Sequence, residues 1–107
     1  MIEPPVPENE AERLVSLRAL GLLDTPAEER FDAIVSLSAD VFGVPIAYLS
    51  LMDENRQFLK SKTGLESCET DRKKSFCAYA ILRPEALVVE DTAADERVTI
   101  SGVRGVR

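Results

Sequence analysis

Residues 46–62 read Ile46-Ala47-Tyr48-Leu49-Ser50-Leu51-Met52-Asp53-Glu54-Asn55-Arg56-Gln57-Phe58-Leu59-Lys60-Ser61-Lys62, and this stretch decides how the chain folds. An apolar run, four polar residues and a second run predict two strands, 46–52 and 57–62, joined by a turn at 53–56. Successive side chains of a strand point to opposite faces. Ala47, Leu49 and Leu51 therefore form an aliphatic face suited to packing on helices, while Ile46, Tyr48, Ser50 and Met52 mix apolar bulk with two hydroxyls. Buried hydroxyls need partners. A ligand pocket would supply them, and so would a hydrogen bond to a neighbouring loop, which is the commoner arrangement.

Toward the N-terminus, a proline-rich leader (1–7) precedes residues 8–20, which place Ala11, Leu14, Leu17 and Leu20 at three-residue spacing with Arg13 and Arg18 off the stripe. That spacing predicts an amphipathic helix, and Gly21 supplies the left-handed cap that ends it. Thr25, Pro26 and Glu28 have the spacing of a capping box with proline at the first helical position. The helix they predict carries Phe31, Ile34, Val35, Ser38, Val41 and Phe42 on one face and stops at Gly43, before Val44-Pro45 imposes extended chain.

Toward the C-terminus, residues 63–72 read as a loop, and Lys73-Lys74-Ser75-Phe76-Cys77-Ala78-Tyr79-Ala80-Ile81-Leu82 as a short helix that Arg83-Pro84 ends. Residues 86–90 predict a third strand, and 93–107 a loop with at most one further strand. Helix, helix, strand, strand, helix, strand implies an α+β fold, a single domain over residues 1–107 with helices covering one face of an antiparallel sheet.

Composition narrows the function. The 107 residues are 45% hydrophobic and 30% charged, with a formal net charge of −6 and a pI near 4.7. Nucleic acid and anionic membrane would be repelled at long range. The local exception, Asp71-Arg72-Lys73-Lys74, is a solvated surface turn or an anion-holding cluster. There is no histidine and there are two cysteines, which argues against Cys/His metal sites and histidine-based triads; neither catalytic nor metal-binding residues are expected. The N-terminus lacks the marks of a signal peptide and no apolar run approaches spanning length, so the expected setting is cytoplasmic, with reduced thiols.

Cys77 has two readings. If Ser75 caps the short helix, Cys77 lies in its first turn behind Lys73 and Lys74, where the helix dipole and the cations would activate a thiol. Phe76, Cys77, Ala80 and Ile81 share one arc of the helical wheel, however, which makes Cys77 a small core hydrophobe, the favoured reading. Cys68, between Glu66 and Glu69 in a polar loop, is expected to be exposed and unreactive.

The residues quoted so far resemble a family. Arg18-Ala19-Leu20-Gly21-Leu22-Leu23-Asp24-Thr25-Pro26, Glu29-Arg30-Phe31-Asp32, Ser50-Leu51-Met52-Asp53, Ser75-Phe76-Cys77-Ala78 and Val89-Glu90-Asp91-Thr92 together look like a bacterial GAF domain of the type that precedes histidine kinase or diguanylate cyclase outputs. The resemblance runs from about Glu8 to Arg97. It implies a non-enzymatic sensory or regulatory module, without a resident cofactor, that acts through a small molecule such as a cyclic nucleotide or metabolite, or through a homodimer built on the N-terminal helices. It places the pocket at Tyr48, Ser50, Ser75, Phe76, Tyr79, Asp91 and Thr92. Relatives often carry histidine at the position of Tyr79, and their sheets continue with strands beyond the point where this chain ends, so the resemblance also implies a module whose C-terminal strands are missing. Less favoured implications are a thiol-based free methionine sulfoxide reductase, a bilin attached at Cys77, and an interaction module without ligand.

Overall fold

A computed structural model describes residues 3–87 of the chain. Ala47–Met52 (β1) and Arg56–Thr63 (β2) pair antiparallel, as their alternation predicts. The turn closes with the Asp53 N–H donating to the Arg56 carbonyl at 2.8 Å. Leu49 faces Ser61 but Ser50 faces Leu59, so Lys60 is the extra residue of a β-bulge. A short strand, Glu69–Asp71 (β3), adds to the other edge of β2 and gives the order β1-β2-β3. Residues 63–72 read as loop from sequence because these three exposed polar residues carry no alternation.

Glu10–Ala19 (α1) ends at Gly21, whose φ of +65° is the left-handed conformation glycine adopts without strain. Leu14 and Leu17 are buried, whereas Ala11 and Leu20 at the ends of the expected stripe are exposed. Polar ties hold α1 to the end of the hairpin. The Arg13 guanidinium donates to Glu10 at 2.7 and 3.0 Å and to the Met52 carbonyl.

Glu29–Phe42 (α2) ends at Gly43, φ +62°, with the Val44 N–H on the Ala39 carbonyl at 3.1 Å. Its start departs from the expected capping box. The helix begins at Glu29 and no side chain caps it. The would-be cap, Thr25, instead accepts from Lys60 Nζ at 2.6 Å, and the Glu28 carboxylate pairs with the same ammonium at 2.8 Å. A buried ammonium must be surrounded by acceptors, and this requirement overrides the local cap.

α2 packs on β1 and β2. Ser61 Oγ donates to Asp32 Oδ1 at 2.5 Å, so the face of β1 that carries Ala47, Leu49 and Leu51 turns toward the helix, as expected. The expected apolar face of α2 is only partly used. Val35 is buried and Phe31 and Ser38 are half-buried, but Ile34, Val41 and Phe42 are 57, 69 and 77% exposed, because the strands beneath cover only the strip centred on Val35. The fold of the described residues is α+β. No helix among them is long and apolar enough to cross a membrane.

After β3, the expected short helix divides into a 3-10 turn, Arg72–Lys74, and a four-residue helix, Cys77–Ala80 (α3), with Ser75 extended between them. The basic run is not one patch. Arg72 turns inward, 6% exposed, and donates to Glu10 and to the Asp53 and Glu54 carbonyls at 3.1 and 3.2 Å, while Lys73 and Lys74 face solvent. Of the expected third strand at 86–90, residues 86 and 87 are not in a strand, and the rest lies outside the described residues.

The Glu10 cluster sets an acid limit. Hydrogen bonds from Arg13 and then Arg72 lower the Glu10 carboxyl from 4.5 to about 2. A carboxyl depressed on folding stabilises above its unfolded value and loses that contribution as pH falls through its folded one. The urea midpoint should therefore fall between about pH 4.5 and 2, and Glu10→Gln should lower the midpoint at pH 7 and flatten this part of the profile. Equal acid slopes for the two proteins would contradict it.

Candidate functional site

The face of the sheet turned away from α2 carries Tyr48, Ser50 and Met52 from β1 and, opposite them, Gln57 and Leu59 from β2. Gln57, 3% exposed, is the hub of this face. Its Nε2 donates to Ser50 Oγ at 2.8 Å, and its Oε1 accepts from Ser75 Oγ at 2.7 Å and from Thr70 Oγ1 at 3.1 Å. Ser75 Oγ also accepts from the Cys77 N–H at 3.1 Å, which sets the first turn of α3. One amide thus ties β1, β3 and the start of α3 to the central strand.

Beside this network the Tyr48 hydroxyl and Cys77 Sγ share a hydrogen bond at 3.6 Å. Partial burial pushes the Tyr48 phenol up to about 12, with Cys77 adding to the shift, so Tyr48 is a neutral hydrogen-bonding group near pH 7 and not a base. Cys77 is half-buried, and Ala78, at 0% exposure, is the residue that enters the core. The favoured core reading of Cys77 therefore gives way to a thiol at the edge of the hydroxyl cluster. Residues 76–81 are helical as the wheel requires, but the helix turns Ala78 rather than Cys77 fully inward.

A cavity of about 440 Å³ adjoins the far end of α3, lined by Tyr79, Ala80, Leu82, Arg83, Glu85, Ala86 and Leu87. Of the residues expected at the site, Tyr48, Ser50 and Ser75 come together. Phe76 is half-buried at the start of α3, and Tyr79 lines the cavity. Asp91 and Thr92 lie outside the described residues. Sequence reading missed Gln57 and Thr70. The signal for Gln57 is there, since alternation along the second strand of the hairpin puts it opposite Met52 and on the same face as Ser50.

Every buried side-chain nitrogen or oxygen among the described residues has a partner. Of the two hydroxyls on the first strand, Ser50 finds its partner in the neighbouring strand, at Gln57, and Tyr48 finds its own in α3, at Cys77. Chemically the cluster offers neutral donors and acceptors, three hydroxyls and an amide with a phenol at their edge, which suits recognition of a polar small molecule by exchange of hydrogen bonds. No group of three or more His, Cys, Asp or Glu side chains among the described residues could hold a metal.

No protein-family profile matches the chain. Over 97 residues, 91% of this chain, it is 40% identical to a cyclic di-GMP phosphodiesterase of Pseudomonas aeruginosa; the chain spans only 16% of that protein's length.

Proposed function

We propose that these residues are a GAF-type regulatory module in bacterial signal transduction, one that senses a small molecule and acts on an output carried elsewhere. The observation that carries this reading is the Gln57 network, because it couples the hydroxyl-bearing sheet face to α3, the element beside the cavity. A ligand that competes for Ser50 or Ser75 would move α3 by changing the bonds that hold it. The similarity to part of a cyclic di-GMP phosphodiesterase supports a place in second-messenger signalling. In this reading the residues themselves hydrolyse nothing, since the cluster contains neutral hydrogen-bonding groups and no activated base.

A thermal-shift series with cyclic mononucleotides, cyclic di-GMP and common nucleotides tests it. The expected result is a rise in Tm with one member, reduced by Ser50→Ala and by Tyr48→Phe. No rise with any member of the set, with binding also absent by calorimetry, would overturn the ligand reading. We further assign the homodimer contact to the exposed Ile34, Leu37 and Val41 side of α2, where apolar area of this kind invites a partner. Mass in solution should halve in Leu37→Glu, and a monomeric parent protein would remove this contact.

A further inference from the structure

We propose that Cys68 and Lys62 are a redox-reversible modification site, in which a peroxide oxidises the thiol and the lysine amine then closes a sulfenamide on it. Along the sequence Cys68 lies between two carboxylates, which predicts an unreactive thiol, but in the folded chain its neighbour is a cation. Lys62 Nζ lies 3.5 Å from Cys68 Sγ. The Glu69 carboxylate is drawn off to Arg56, at 2.8 Å.

The geometry is that of a nucleophile held in place. An ammonium has three hydrogens. Two of those on Lys62 go to the Glu66 and Ser67 carbonyls at 2.8 and 2.7 Å, which leaves the third directed at the sulfur. Loss of that proton to solvent leaves the nitrogen lone pair on the same line. The main chain at Cys68 is held in place, because its carbonyl accepts from the Leu59 N–H at 2.9 Å. The thiol is exposed and borders a cavity of about 400 Å³ that Lys60, Ser61 and Lys62 also line, so a small oxidant has access.

Oxidation of a thiol to sulfenic acid, followed by condensation with a nearby nitrogen, is established cysteine chemistry. In the first step the peroxide O–O bond breaks and an S–O bond forms. Sulfur loses two electrons, and hydrogen peroxide becomes sulfenic oxygen and water. In the second step the Lys62 amine attacks sulfur, an N–S bond forms, the S–O bond breaks, and the hydroxyl leaves as water with a proton from nitrogen. In sum, one thiol, one amine and one hydrogen peroxide give one sulfenamide and two waters, and a dithiol reductant restores thiol and amine. Closing the bridge removes the Lys62 charge and staples the loop between β2 and β3.

The test uses the Cys77→Ser chain, in which no internal disulfide can form, treated with hydrogen peroxide and read by intact mass and peptide mapping. The expected product has lost two hydrogens, joins Lys62 to Cys68 and reverts fully with dithiothreitol. Lys62→Arg keeps the cation and can donate to the same carbonyls but lacks the nucleophilic amine, so it should instead yield a sulfenic acid that dimedone traps. Stepwise gain of oxygen with no two-hydrogen loss in the Cys77→Ser chain would overturn the proposal. So would the same two-hydrogen loss in the Lys62→Arg variant.

Discussion

Gln57→Leu is expected to lower the unfolding free energy by about 2 to 4 kcal/mol, since it leaves a buried hydroxyl unpaired and breaks a network at several points. Leucine fills a similar volume but can neither donate to Ser50 nor accept from Ser75 and Thr70. The cost falls unequally on these three. Thr70 is exposed and can turn to water, whereas Ser75 is 4% exposed and has no such recourse. Urea unfolding at neutral pH measures the loss. A second readout separates a local from a global effect. Ser75 orients the first turn of α3 through the Cys77 N–H, so in a Cys68→Ser background Cys77 should alkylate several-fold faster once Gln57 is replaced. An unchanged urea midpoint together with an unchanged alkylation rate would show that the amide holds nothing.

Lys60→Ala is expected to cost about 3 kcal/mol, from a cavity where the aliphatic stem lay and from lost hydrogen bonds. The side chain is wholly inaccessible, and its ammonium meets Thr25 Oγ1 at 2.6 Å, the Pro26 carbonyl at 2.7 Å and Glu28 at 2.8 Å. These acceptors belong to the connection between α1 and α2. One residue of β2 therefore fixes the approach of α2 to the sheet. Two further variants test the electrostatic part. Lys60→Met keeps the volume and removes the charge; Glu28→Gln keeps the buried charge and removes its anion. Stranding a buried cation is worse than deleting it, so Glu28→Gln should destabilise more than Lys60→Met. The reverse order would mean that packing, not charge pairing, holds this connection.

What could be read from the sequence was what local chemistry determines. Gly21 and Gly43 end their helices because a left-handed cap needs no information from elsewhere, and the hairpin followed from alternation. The capping box at Thr25 was a sound local inference that failed because Lys60, thirty-five residues away, claims the same hydroxyl. Arg72 looked like part of a basic surface run and is instead a buried tie to Glu10, a pairing across 62 positions that no local pattern encodes. In the candidate site, the hydroxyl face of the first strand was legible; Ser75, expected to cap the short helix, does accept from the Cys77 N–H, although Phe76 holds the cap position. Gln57, although it falls within the expected second strand, is not among the expected site residues because faces are assigned to the first strand alone.

The bulge at Lys60 carries a lesson for anyone rewriting this strand. Leu59 faces Ser50, whereas Ser61, two positions later, faces Leu49 on the opposite side. A two-colour pattern painted evenly along residues 56–63 would be in phase up to Leu59 and inverted from Ser61 onward. A designer must insert a half-period at residue 60, and an aligner comparing this strand with an unbulged one should open a single-position gap there.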